Sequence, residues 1–213
     1  MKKIFMALAA VAAFVGCSKE NTPMDVVAKD NFAINASIVL DDTRVTVEGE
    51  NFTDVQWVAG DEVTLSSKAG ASAKLVAESG GDTDIRFVGE GSAAADADTY
   101  YAIYPATAIV DGVATIDLAT QSGRDAAVLV SKAEGNKDVA IDMEFKPANA
   151  LLHVAVSGVS SLSKAEFVAY DGAALPQSFT YAFESESVAT AGEVAAYTIE
   201  NPSVDGFFFS LPA

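Results

Sequence analysis

Val139, Ile141, Met143 and Phe145 alternate with Ala140, Asp142 and Glu144 in the cleanest period-two stretch of the chain. Successive side chains of an extended strand point to opposite faces, so this stretch reads as a strand with one face in a core and one in water. The same period recurs before it. Phe32, Ile34, Ala36, Ile38 and Leu40 share a face of a first strand, turned by Asp41-Asp42, and Val45 and Val47 alternate with Arg44 and Thr46 in a second. Val55 and Trp57 lead into the turn Ala59-Gly60-Asp61, and Val63 and Leu65 answer on its far side. Leu75 precedes Gly80-Gly81-Asp82, and Ile85 and Phe87 follow. Thr99 to Tyr104 is an aromatic strand stopped by Pro105, which has no N–H to give a ladder. Asp111-Gly112, between Ile109-Val110 and Val113, is the signal of a type I′ hairpin. Ala126 to Ser131 is an apolar run short enough for a buried strand.

Lys146-Pro147-Ala148-Asn149 punctuates the pattern and is the expected domain boundary. Beyond it, Leu152, Val154 and Val156 alternate. A strand follows over 165–170 with either Ala165, Phe167 and Ala169 or Glu166, Val168 and Tyr170 facing inward, closed by Asp171-Gly172. Phe179, Tyr181 and Phe183, then Tyr197 and Ile199, then Gly206 to Leu211 complete the series. No segment after the N-terminal signal carries a helical stripe. Many short strands with Gly and Asp turns predict an all-β fold of antiparallel β-sandwiches.

At the N-terminus, Lys2 and Lys3 precede an unbroken apolar run from Ile4 to Val15. The run is shorter than the ~20 residues of a bilayer span and matches the hydrophobic region of a secretory signal, about 7–15 residues. Gly16 then meets Cys17, the one cysteine of the chain. Phe14-Val15-Gly16-Cys17 resembles the lipobox of a bacterial lipoprotein, in which the cysteine is lipidated and becomes the first mature residue. Stable anchoring takes more than one acyl chain, and three chains on Cys17 would hold the protein at a membrane with all that follows in water. Ser18, where an inner-membrane lipoprotein often carries aspartate, favours the outer membrane. Ser18 to Lys29 is polar with Pro23 and reads as a tether. Four segments are therefore expected: a signal peptide over 1–16, a lipidated tether over 17–30, an N-terminal β-sandwich over 31–146 and a partial C-terminal β-sandwich over 147–213.

The sequence holds 13 Lys and Arg against 30 Asp and Glu, a net charge of −17. A polyanion is repelled by nucleic acid and by anionic headgroups, which sets both aside as partners. With Cys17 acylated no internal disulfide can form, so stability must come from packing.

The catalytic inventory is poor. His153 is the single histidine and sits in a strand-like stretch, where it reads as a packing or surface residue. Asp41-Asp42, Asp82 with Asp84, and Asp96 with Asp98 offer oxygens of the kind calcium takes, but none has the spacing of a known loop and all read as solvated turns. Asn51-Phe52-Thr53 matches a eukaryotic glycosylation sequon without meaning for a bacterial lipoprotein. Trp57 with Tyr100, Tyr101 and Tyr104 admits two readings. Either they form a platform on which sugars stack, or Trp57 and Tyr101 fill the core while Tyr100 and Tyr104 face the other side of their strand. The second is preferred.

Thr43-Arg44-Val45-Thr46, Trp57-Val58-Ala59-Gly60-Asp61 and Tyr100-Tyr101-Ala102-Ile103-Tyr104-Pro105 follow Phe32 to Ile38 in an order, and at a spacing, that resembles the fimbrillin family of Bacteroidota. Phe145 to Leu152 resembles that family's passage into its second domain. The resemblance spans most of the chain from residue 31. It implies two transthyretin-like sandwiches, an outer-membrane lipoprotein at the cell surface, and a fimbrial subunit that is stalk, tip or anchor. It implies no enzyme and no cofactor. Its partners would be the membrane, other fimbrial subunits joined by strand addition, and host or glycan ligands. Some members are cut by an arginine-specific protease, for which Arg44 is the residue in position, although it lies inside an expected strand. A surface glycan-binding lipoprotein of a polysaccharide uptake system is the alternative function.

The closing stretch Gly206-Phe207-Phe208-Phe209-Ser210-Leu211 departs from the family, where further strands follow it. About seven strands in ~100 residues make such a sandwich, and 147–213 has room for half of that. Either the chain is a truncated product, or the domain is open and completed by another subunit's strand. On either reading the three phenylalanines are expected at an edge with no partner strand.

Overall fold

The structure, a computed structural model, describes residues 31–39, 56–90, 99–121, 127–136 and 138–213. The expected signal, Cys17, the tether, the strand around Arg44, Val55, the sequon and the Asp41-Asp42 and Asp96/Asp98 pairs lie outside these residues. Among the described residues the fold is all-β, with no helix. In chain order the strands are β1 (Asn31–Ile38), β2 (Glu62–Ser67), β3 (Ser72–Ala77), β4 (Asp84–Glu90), β5 (Thr99–Tyr104), β6 (Ile109–Val110), β7 (Val113–Asp117) and β8 (Leu129–Glu134). They continue with β9 (Ile141–Pro147), β10 (Asn149–Val154), β11 (Lys164–Phe167), β12 (Ser178–Ala182), β13 (Ser187–Ala191), β14 (Tyr197–Glu200) and β15 (Phe207–Pro212).

Seven strands close on themselves in the order β1-β4-β3-β2-β5-β8-β9. The ladders are antiparallel except at the closure, where β1 runs parallel to β9 with Ile34 opposite Ile141 and Ile38 opposite Phe145. The strands expected as a two-layer sandwich are thus hydrogen-bonded into one barrel-like sheet, and closure leaves that sheet without an edge. The alternating apolar residues of each strand meet inside it, among them Phe32, Ile34, Leu65, Leu75, Phe87, Met143 and Phe145. Gly89 lets β3 and β4 approach, since a Cβ there would run into Lys74 O and the Leu75 side chain.

A second core lies outside the barrel. Ile109, Ala114, Leu118, Phe179, Phe183, Tyr197, Ile199, Phe207 and Phe209 bury one another against Tyr101, Ile103, Val128 and Val130, which are carried by β5 and by β8 and the residue before it. Asp111 and Gly112, at φ 51° and 74°, make the expected hairpin between β6 and β7. β7 pairs with β12 and β12 with β13, giving the sheet β13-β12-β7-β6. Two ribbons, β10-β15 and β11-β14, complete the unit. Both this core and the β7–β12 ladder draw on residues from each side of 147.

Two expectations are corrected. Tyr100 and Tyr104 pack on Trp57's side, in or against the barrel core, while Tyr101 faces the second core. β5 is buried on both faces because it stands between the two cores, so alternation there does not separate core from solvent. Likewise the three phenylalanines do have a partner strand. β15 pairs along its length with β10, Phe207 and Phe209 turn into the second core, and Phe208 lies on the opposite face against the His153 ring at 4.7 Å.

Candidate interaction surface

Three of the four aromatic residues that suggested a sugar platform are withdrawn from solvent, and Tyr104 is half-buried. Trp57 is 1% exposed, caged edge-on by Phe87, Tyr104 and Phe145 at ring-centroid distances of 4.9, 5.5 and 5.2 Å. The turn that follows fixes it. Trp57 N–H donates to Asp82 O, Gly81 N–H returns to Trp57 O, and Asp61 Oδ2 accepts Val58 N–H at 2.7 Å. Tyr100 and Tyr101 are also buried.

One carboxylate of the second unit gathers three donors from the barrel side. Glu184, in the turn between β12 and β13, accepts from Lys68 Nζ at 2.7 Å and from Lys132 Nζ at 3.2 Å, and also from the Tyr101 hydroxyl. The Lys68 ammonium, then the Tyr101 hydroxyl and Lys132, hold the Glu184 carboxyl down at about 2. Burial first, and then Glu184 itself, push the Tyr101 hydroxyl up to about 12.

The other expected site residues are dispersed. His153 is exposed on β10, with its ring against Phe208 and its Nε2 beside Gly206. Asp82 Oδ1 accepts the N–H groups of Thr83 and Asp84 at 2.7 and 3.3 Å, so it caps its own turn. Among the described residues no group of three or more His, Cys, Asp or Glu is placed to hold a metal ion. No helix of the described residues is long and apolar enough to cross a membrane.

What the second unit does present is strand edges. β6 and β13 end their sheet. Between the two ribbons runs 118–121, whose backbone bonds β14 through Thr198 N–H to Ala119 O and Gln121 N–H to Thr198 O. The Gln121 carboxamide spans the remaining gap to β15. Its Oε1 accepts Ser210 N–H at 2.6 Å, and its Nε2 donates to Ser210 O at 2.9 Å and Leu118 O at 3.0 Å. Chemically, this surface can add a strand and can dock a loop.

The fold has a counterpart among solved structures. The chain is similar to a protein from Bacteroides uniformis named as a candidate cell adhesion protein, at 14% identity and a TM-score of 0.54, over 85% of this chain and 74% of that one. Proteins from Bacteroides ovatus and Bacteroides thetaiotaomicron with the same description align at 15% identity over 87% of this chain and 78% and 75% of theirs, with TM-scores of 0.46 and 0.42. No family model and no curated protein matches the sequence. At such identities the likeness to the first of these is one of fold.

Two residues of the surface escape sequence reading. Glu184 and Gln121 act on partners 52 to 116 and 77 to 89 residues away, and no local pattern announces such bonds. Tyr170 had a visible signal, because Asp171-Gly172 after it marks a turn. The structure settles the open register by turning Ala165 and Phe167 toward the second core, which leaves Val168 and Tyr170 out, the tyrosine fully exposed at the turn.

Proposed function

We propose that the protein is a non-enzymatic, cell-surface lipoprotein of the fimbrillin type, a structural or adhesive subunit that assembles by β-strand addition. In this reading Cys17 carries the lipid at the outer membrane, Arg44 is the processing position, and the barrel and second unit stand for the family's transthyretin-like sandwiches. The observation that carries it is the contrast between a barrel closed on itself and a second unit whose sheets end in edges, since an added strand needs an edge to join. The fold likeness to a protein named for cell adhesion supports a role in surface contact. The burial of Trp57, Tyr100 and Tyr101 removes the platform on which the glycan-binding alternative rested.

The test is direct. Material taken from its own outer membrane and heated briefly in SDS should run as a ladder of regularly spaced multiples. A single band under all conditions would set the polymer-forming reading aside. One observation keeps the glycan reading in view, the full exposure of Tyr170. If Tyr170→Ala abolishes retention on a glycan array while the ladder is unchanged, sugar contact at that turn is the function.

A further inference from the structure

The edges of the second unit are not equal. Edges of natural sheets are guarded by charge, proline or short length. β11 carries Lys164 and Glu166, paired at 2.7 Å, and β6 is two residues long. On the side of β15 away from β10 the Ser210 backbone is taken by Gln121, and on the side of β14 away from β11 the Thr198 backbone is taken by 119–121. β10 follows directly from the barrel strand β9, and its first residue is bound from the barrel side, Val128 N–H donating to Asn149 Oδ1 at 2.8 Å.

β13 has none of these guards. Ser187-Val188-Ala189-Thr190-Ala191 is free of charge and proline in a chain of net charge −17, and among the described residues it has β12 on one side and no strand on the other. Val188 turns toward the second core, and the remaining four side chains are small and exposed, so nothing bulky bars an incoming backbone. Glu186 precedes the strand and Glu193 follows it, both exposed. We propose that β13 is the edge that takes up an extended strand of a partner protein, one with an uncharged centre and a Lys or Arg at each end to meet Glu186 and Glu193.

This assignment rests on the strand-addition reading and says where the strand goes and what it looks like. Charge decides against a second copy of this chain as occupant. A two-fold pairing of β13 with itself, centred on Ala189, sets Glu186 opposite the second copy's Gly192 and one position from its Glu193, and like charges set close across an interface are repulsive.

The experiment uses the full-length chain in neutral detergent micelles and synthetic peptides of alternating Thr and Val, six residues long, flanked by Lys on both sides or by Glu on both sides. Backbone amide exchange is followed by residue. The Lys-flanked peptide is expected to slow exchange within 187–191, and the Glu-flanked peptide to bind about tenfold more weakly or worse. The double variant Glu186→Lys/Glu193→Lys is expected to reverse that order. A Lys-flanked peptide N-methylated at alternate backbone nitrogens should not bind, because it cannot complete a ladder. Equal binding of the methylated peptide would overturn the proposal, as would a variant that keeps the original preference or dimers of the chain held through β13. Protection at β10 or β11 instead would overturn the assignment to β13 and leave strand addition standing. Protection at no edge would overturn both.

Discussion

Gln121 and Ser210 form a closed pair in which a side-chain carboxamide takes the place of a neighbouring strand. Ser210 N–H donates to Gln121 Oε1 at 2.6 Å, and Gln121 Nε2 donates to Ser210 O at 2.9 Å. Ser210 is 4% exposed, so water is a poor substitute for either bond. A buried polar group left without its partner costs about 1–3 kcal/mol. Gln121→Ala should therefore destabilise the chain by about that amount in urea titrations. Gln121→Glu should be no better, because a carboxylate cannot donate to the Ser210 and Leu118 carbonyls. A Gln121→Glu variant as stable as wild type would show that the bridge carries no weight.

Trp57→Ala should be the most damaging single change in the barrel. Truncating a buried tryptophan costs about 3–5 kcal/mol, a large part of the 5–15 kcal/mol that holds a typical domain together. Trp57→Phe keeps an edge-on ring among Phe87, Tyr104 and Phe145 and should recover much of the loss. Thermal or denaturant melts of the two variants decide it, and an unchanged melting temperature for Trp57→Ala would contradict the cage.

How much of this was legible beforehand follows from what alternation encodes. Period two says which side chains share a face, and it located β1, β5, β9, β12 and the β6–β7 hairpin, and placed Trp57 in a core. It does not say which strand lies alongside. The parallel closure of β1 on β9 and the ladder between β7 and β12 depend on residues far apart in the chain, so neither shows in a local window. Nor does alternation count cores. Tyr101 and Tyr104 lie on opposite faces of β5 as expected, but both faces are covered, and only the second unit's position reveals that. The Glu184 junction was invisible for a simpler reason: a glutamate in a polar turn looks like any solvated residue until Lys68 and Lys132 arrive from elsewhere.

Acid should loosen the junction at Glu184. Its carboxyl titrates at about 2 in the folded chain, below the ordinary value of 4.5. A lowered pKa stabilises the folded state above the ordinary value, and that contribution is lost as pH falls through the folded one. The contribution of Glu184 to docking of the β12–β13 turn should therefore be complete at neutral pH, shrink below about pH 4.5 and be lost as pH falls through about 2. Tyr101 gives the mirror effect, since its raised pKa stabilises the fold below pH 10 and that is lost as pH climbs toward about 12. Carboxyl chemical shifts of Glu184 check the acid limb, and Glu184→Gln should abolish it.

Residues 147–213 alone should fail to fold. Their core surface is completed by Tyr101, Ile103, Val128 and Val130 and by the β6–β7 hairpin, all of which lie earlier in the chain. Mixing the piece with residues 31–146 should restore dispersed amide spectra. A cooperative monomeric melt of 147–213 by itself would refute this.

Cys17→Ser should move the protein from the detergent phase to the aqueous phase on cloud-point partition. Retention of the variant in detergent would mean that membrane attachment, if present, does not run through Cys17.

The parallel seam between β1 and β9 has a further consequence, in time rather than in space. Asn35 and Asp142, which share a hydrogen bond at that seam, are 107 residues apart. Contacts so distant in sequence form late and slow folding, because the intervening loop must be closed first. The barrel's first strand therefore waits with one side unmatched until nearly 150 residues have been delivered. Such a delay keeps the polypeptide pliable while it is being made and withholds the finished barrel until its last strand has arrived.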